Sequence, residues 1–120
     1  MEHTTINRPY ESISDKEHNI GWTLLSRAQS SFKNLTIAVQ RFEPGGFFSD
    51  HTHDLEQYFY VTHGRFEMTV SGETLILEEG DFIFIGRNAP HSGKNLAASP
   101  SELLFVDYFP PDSQSNLGLD

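Results

Sequence analysis

From Asn34 onward the chain repeats one pattern: short runs rich in Val, Ile, Phe and Tyr, each closed by a turn that usually contains glycine. Such punctuation suits packed antiparallel strands, and no window before Pro100 combines helical apolar spacing with a cap. The expected strands are Leu35–Phe42, Gln57–Val61, Arg65–Val70, Glu73–Leu77, Asp81–Ile85 and Glu102–Phe109. Between them stand Glu43-Pro44-Gly45-Gly46, His63-Gly64, Ser71-Gly72, Glu79-Gly80 and Gly86-Arg87-Asn88-Ala89-Pro90, which offer positive φ or a preset turn. Strands spaced this regularly predict an all-β sandwich or barrel.

A length of 120 residues fits one domain with one core. The expected layout is an arm with an added strand over 1–33, a barrel over 34–109 and a tail over 110–120. Ile20–Leu25 reads as the added strand, Ile6–Lys16 as a segment draped over the barrel, and Pro110–Asp120 as a surface arm poor in apolar residues.

The chain has no cysteine, which excludes a disulfide framework, an iron–sulfur site and a thiolate ligand, so any metal must use nitrogen and oxygen. The net charge is −9, with 17 acidic residues against 8 lysines and arginines, which argues against nucleic acid as a partner. No stretch approaches the length of a membrane span, and the first ten residues lack the basic end and apolar run of a signal peptide. The expectation is a cytoplasmic protein whose partner is a small molecule.

Two of the six histidines form His51-Thr52-His53. In a strand, residues two apart project to one face, so this pair can converge on an ion. Gln57 has the same parity, and an unbroken strand would bring its amide oxygen to that side. His91, after Pro90, can close the set from a neighbouring strand. Each has an ordinary reading as a solvated or turn residue, and the weight lies in their combination. Glu56 has the wrong parity, which leaves it outside the ligand set.

These residues carry a resemblance. Gly45 to Gly64, with His51, His53 and Gln57 between, is similar to the first cupin motif, in which a glutamate stands where this chain has Gln57. Gly80 to Asn95, with His91, resembles the second motif, with Gly86 replacing its proline and Asn88 its glycine. The resemblance implies a double-stranded β-helix, or jelly-roll, cupin barrel. It also implies one divalent metal ion (iron, manganese, nickel or zinc) held by His51, His53, Gln57 and His91, and a homodimer. Asparagine tolerates the left-handed conformation, so the exchange at Asn88 is mild.

With Gln57 in place of glutamate, all four ligands are neutral and the ion keeps its full charge. That favours Lewis-acid work on an anionic substrate oxygen over redox chemistry. The run from His51 to Gln57, with Asp107-Tyr108-Phe109-Pro110, further resembles the small bacterial cupins that open unsaturated uronate rings in pectin and alginate degradation. That resemblance implies catalytic roles for Asp107 and Phe109. The arginine found shortly after in that family is absent, its place being taken by Asp112-Ser113-Gln114.

Independently of the resemblance, Asp107 interrupts an apolar strand, and desolvation in a cavity would raise its pKa and suit it to proton transfer. Arg41, Arg65 and Arg87 are candidate anchors for a substrate carboxylate. The expected function is a non-redox isomerase or lyase acting on a small anionic sugar derivative. The alternatives are an Fe(II)-dependent dioxygenase and a cupin that binds a small molecule without turnover.

Overall fold

A computed structural model of the chain describes residues 11–14 and 18–113. Ten strands follow in order: β1 (Glu11–Ser14), β2 (Asn19–Leu25), β3 (Leu35–Phe42), β4 (Phe47–His51), β5 (Glu56–His63), β6 (Arg65–Val70), β7 (Glu73–Glu78), β8 (Phe82–Ile85), β9 (His91–Asn95) and β10 (Ser101–Tyr108). A single 3-10 turn over Arg27–Gln29 separates β2 from β3. The strands pair into a six-stranded sheet in the order β1-β2-β3-β10-β5-β8 and a four-stranded sheet in the order β4-β9-β6-β7. Every pairing is antiparallel, and the two sheets form the sandwich expected from the strand spacing, with the jelly-roll form that the resemblance implies.

All six expected strands and the added strand are present, most with ends moved by one or two residues. Three others lacked a sequence signal. Residues 6–10 and 15–16 of the draped segment and 114–120 of the tail lie outside the described residues, but Glu11–Ser14 pairs with β2 at the sheet edge. β9 reads His-Ser-Gly-Lys-Asn, without a branched or aromatic residue, and is a strand because it is paired on both sides, with β4 and β6.

The interior has two ends. Val61, Phe59 and Gln57 alternate inward along β5, and Leu103, Phe105 and Asp107 do so along the paired β10. One end holds the apolar core, where Phe42, Val61, Phe66, Met68, Leu77 and Leu103 are buried and Phe42 meets Phe66 edge-on at 5.2 Å. At the other end, about 13 Å along β5 at strand rise, the inward residues are polar. Phe59 and Phe105, with ring centroids 6.0 Å apart, separate the two.

Asn95 locks the apolar end. Its Nδ2 faces the carbonyls of Phe42, Glu43 and Ser99 at 3.0–3.1 Å, and its Oδ1 accepts from Ala97 N–H and the Ser101 hydroxyl. Gly64 is needed beside it, at φ +90°, because a Cβ there would lie 1.9 Å from Ser101 Oγ.

Candidate metal centre

Strand β4 carries a bulge. Phe48 pairs with Gly93 and His51 with His91, so Ser49 and Asp50 together oppose the single residue Ser92. The extra residue shifts the alternation by one, which is why Phe48 and His51, of opposite parity, both face inward with rings 5.7 Å apart. Gly93 makes room for Phe48, since a Cβ there would come within 2.5 Å of its ring.

His51 ends β4, and Thr52 to Asp54 belong to no strand. The unbroken strand expected from His51 to Gln57 is therefore absent: the chain crosses from the four-stranded to the six-stranded sheet within that stretch. The residues converge across the sandwich rather than along one strand. The rings of His51 and His53 lie 4.5 Å apart, those of His51 and His91 4.3 Å. A ring nitrogen from each of the three lies within 4.8 Å of the others.

Hydrogen bonds set the tautomers. His51 Nδ1 lies 2.6 Å from the Ser49 carbonyl oxygen and His91 Nδ1 2.9 Å from that of Ala89. A carbonyl only accepts, so each Nδ1 carries the proton and each Nε2 presents a lone pair. His91 Nε2 is buried without a protein partner. Burial, then the neighbouring His51 and His91, push the His53 pKa down to about 4, and burial chiefly lowers that of His91. Both are thus neutral near pH 7, the form a metal needs.

Gln57 is buried, and its Nε2 donates to Asp107 Oδ1 at 2.8 Å. With the amide nitrogen committed, its Oε1 is buried without a protein partner. An orphaned carboxamide oxygen and an orphaned imidazole nitrogen beside two further imidazoles fit a divalent cation that accepts nitrogen and oxygen donors. Glu56, next to Gln57, instead accepts the Tyr58 hydroxyl at 2.7 Å.

A cavity of about 390 Å³ opens onto this group, lined by Gln40, Phe48, Ser49, Asp50, His51, His53, Gln57, Phe59, Phe105 and Asp107. Burial raises the Asp107 carboxyl to about 6, against the opposing pull of the Gln57 hydrogen bond. Phe109 is placed differently. It follows β10, its N–H donates to the Asn34 carbonyl at 2.8 Å, and its ring lies 4.1 Å beneath the Arg27 guanidinium, away from the cavity lining.

The candidate anchors are also elsewhere: Arg41 pairs with Glu102 at 3.1 Å, Arg65 with Glu78 at 3.5 Å, and Arg87 with Asp54 and Asp112. No lysine or arginine lines the cavity among the described residues. Gln40, Phe48, Ser49 and Asp50 were not expected there. The bulge that brings Ser49 and Asp50 to the cavity leaves no mark in the spacing, and Gln40 reaches it from β3.

A jelly roll with a three-histidine cluster at one end of its interior defines a class. The family model described as "Cupin domain" matches residues 38–107, over half of the chain, and the chain belongs to that family. The pectin degradation protein KdgF of Dickeya dadantii is 28% identical over 106 residues, covering 86% of each sequence. The structure of KdgF from Halomonas sp. superposes with a TM-score of 0.76 at 17% identity, covering 90% of this chain and 94% of that one. The polyketide cyclase RemF from Streptomyces resistomycificus gives 0.77 at 19% identity, over 90% and 79%. Among the described residues no helix is long and apolar enough to cross a membrane.

Proposed function

We propose that this chain is a metal-dependent enzyme that moves a proton without redox change, an isomerase or lyase acting on a small anionic, sugar-like substrate. The observation that carries the proposal is the hydrogen bond between Gln57 and Asp107 on the wall of the histidine-lined cavity. A divalent ion held by His51, His53, His91 and Gln57 supplies Lewis acidity and the positive charge that attracts an anionic oxygen, undiminished because every ligand is neutral.

The chain's own groups do the rest. Asp107 titrates near 6, so its carboxyl accepts or gives a proton at near-neutral pH. Gln57 holds that carboxylate by one oxygen, leaving the other for the substrate. Phe48, Phe59 and Phe105 limit water on the remaining walls. The relation to a pectin degradation protein supports a uronate-type substrate.

The decisive experiment incubates the metal-restored protein with a 4,5-unsaturated uronate and follows loss of the ultraviolet-absorbing enol ether. Acceleration over the spontaneous rate is expected, and no acceleration rejects the uronate. The three phenylalanines favour a second reading, in which the same proton transfer acts on a flat enolisable carbonyl compound. A diketone panel run beside the uronate separates the two.

The reading includes a homodimer. Tyr60, Phe82 and Phe84 are exposed on β5 and on β8, an edge strand that a second copy would extend. Location in the cytoplasm and a small-molecule partner, with neither nucleic acid nor membrane, complete it.

A further inference from the structure

We infer that Arg87 is a positioning residue for the metal centre, tying the loop that carries His53 to the turn that leads into His91. The inference rests on the metal reading above. His53 is the one histidine of the three that lies outside a strand, so no ladder hydrogen bonds fix it. Something else must, if three imidazoles are to hold one ion.

The β8–β9 turn supplies that fixation. Arg87 Nε and Nη2 both donate to Asp54 Oδ1, at 2.9 and 2.7 Å, and Asp54 is the residue after His53. Asn88 N–H donates to the His53 carbonyl at 2.7 Å, from a left-handed φ of 61° that asparagine tolerates. One residue on, the Ala89 carbonyl accepts from His91 Nδ1. Three successive turn residues thus touch Asp54, His53 and His91 in sequence. The C-terminal segment braces the same loop: Arg87 Nη1 donates to Asp112 Oδ1 at 2.9 Å, and Ser113 Oγ donates to the Asp54 carbonyl.

The pair with Asp54 is shielded, with side-chain exposures of 33% for Arg87 and 15% for Asp54, whereas Asp112 is 78% exposed. Asp54 is therefore the partner that matters, and an exposed pair such as that with Asp112 contributes little. The planar guanidinium reaches both carboxylates at once, which a lysine ammonium does not match.

Electrostatics gives the test a sign. A guanidinium near a dication repels it, so removing Arg87 would tighten metal binding if charge were its only influence. Removing a tether would loosen it. Zinc(II) titrated against a chromophoric chelator reads the difference in wild type, Arg87→Met, Arg87→Lys and Asp112→Asn. Outer residues that orient ligands typically change affinity by about 10-fold or more. Arg87→Met should weaken binding by about that factor, Arg87→Lys by less, and Asp112→Asn by under about two-fold.

Cobalt(II) absorption should shift in Arg87→Met as His53 loses its place, while the thermal midpoint of the metal-free protein stays near wild type. Unchanged or tighter zinc binding in Arg87→Met overturns the inference and leaves the metal reading intact. If Arg87→Met does not fold, Arg87→Lys decides on the same criterion. A wild-type chain that binds no zinc overturns the metal reading and the inference together.

Discussion

Gln57 Nε2 donates to Asp107 Oδ1 at 2.8 Å, and that contact fixes which end of the amide faces the histidines. Because the carboxylate accepts from the nitrogen, the oxygen is left unpartnered beside the imidazoles. One side chain thus turns its oxygen toward the histidines and holds the carboxylate on the cavity wall, where the proposed function places a metal ligand and a proton carrier. Asp107→Asn should lose about 10²-fold or more in turnover of the active substrate, the usual scale for removing a general acid or base. Zinc content should stay near wild type, because asparagine can still accept the Gln57 hydrogen bond. Full activity in the variant would remove Asp107 from the chemistry.

Stability against pH should carry two opposing slopes in metal-free protein. Asp107 rises from 3.8 to about 6 on folding, so the folded chain holds an extra proton in that window and stability falls as pH rises through it. His53 falls from 6.5 to about 4, so the unfolded chain holds the extra proton and stability rises with pH there. Asp107→Asn removes only the first slope. Urea unfolding with chelator present should find the variant more stable than wild type by about 1–3 kcal/mol at pH 7.5 and equal to it near pH 4. A variant less stable at pH 7.5 would show that burial is not what raises the carboxyl.

Gln57→Glu exchanges a neutral side chain for a charged one at the proposed ligand position. Zinc binding should tighten by about 10-fold or more, on Coulomb attraction alone. The new carboxylate faces Asp107 without a donor between them, so the Asp107 pKa should climb further and turnover should drop. Chelator competition reads the first effect and a pH–rate profile the second. Tighter zinc with undiminished turnover would contradict the role given to the neutral ligand set.

Gly93→Ala should act through Phe48. The added methyl would meet the ring at 2.5 Å and drive it toward the cavity. A cost of about 1–3 kcal/mol is expected, as for other overpacked cores, together with weaker substrate binding. Combining it with Phe48→Leu should recover most of the stability in thermal unfolding. No recovery would mean that the clash lies elsewhere.

Phe82→Glu with Phe84→Glu should convert a dimer to a monomer in sedimentation equilibrium, since both rings stand on the outer face of the edge strand. Wild type sedimenting as a monomer would reject the dimer outright.

The strands with branched and aromatic alternation were legible because each buries one face, as β5 and β6 do, while β3, with adjacent Ala38 and Val39 both buried, was legible from its apolar run. β9 was not, because its pairing partners and not its composition make it a strand. The convergence of the histidines was legible in their spacing, but its geometric reason was different. His51, His53 and Gln57 meet because the chain changes sheets between them, whereas parity along one strand would have needed Thr52 to Leu55 to be extended. The replaced motif glycine was read well, since Asn88 adopts the left-handed φ that its side chain tolerates. Arg87 was one of three candidate substrate anchors, but only the fold shows that its donors go to Asp54 and Asp112.

The bulge at Ser49 and Asp50 works as a reading-frame shift for side chains. Upstream of it β4 contributes Phe48 to the interior, and downstream it contributes His51. Pairing all four residues from Phe48 to His51 in regular alternation would turn His51 to the outer face, while the buried core of Phe42, Phe66 and Leu103 keeps its packing. A single unpaired residue thus decides whether the His51 imidazole joins the cluster, apart from the packing that holds the fold.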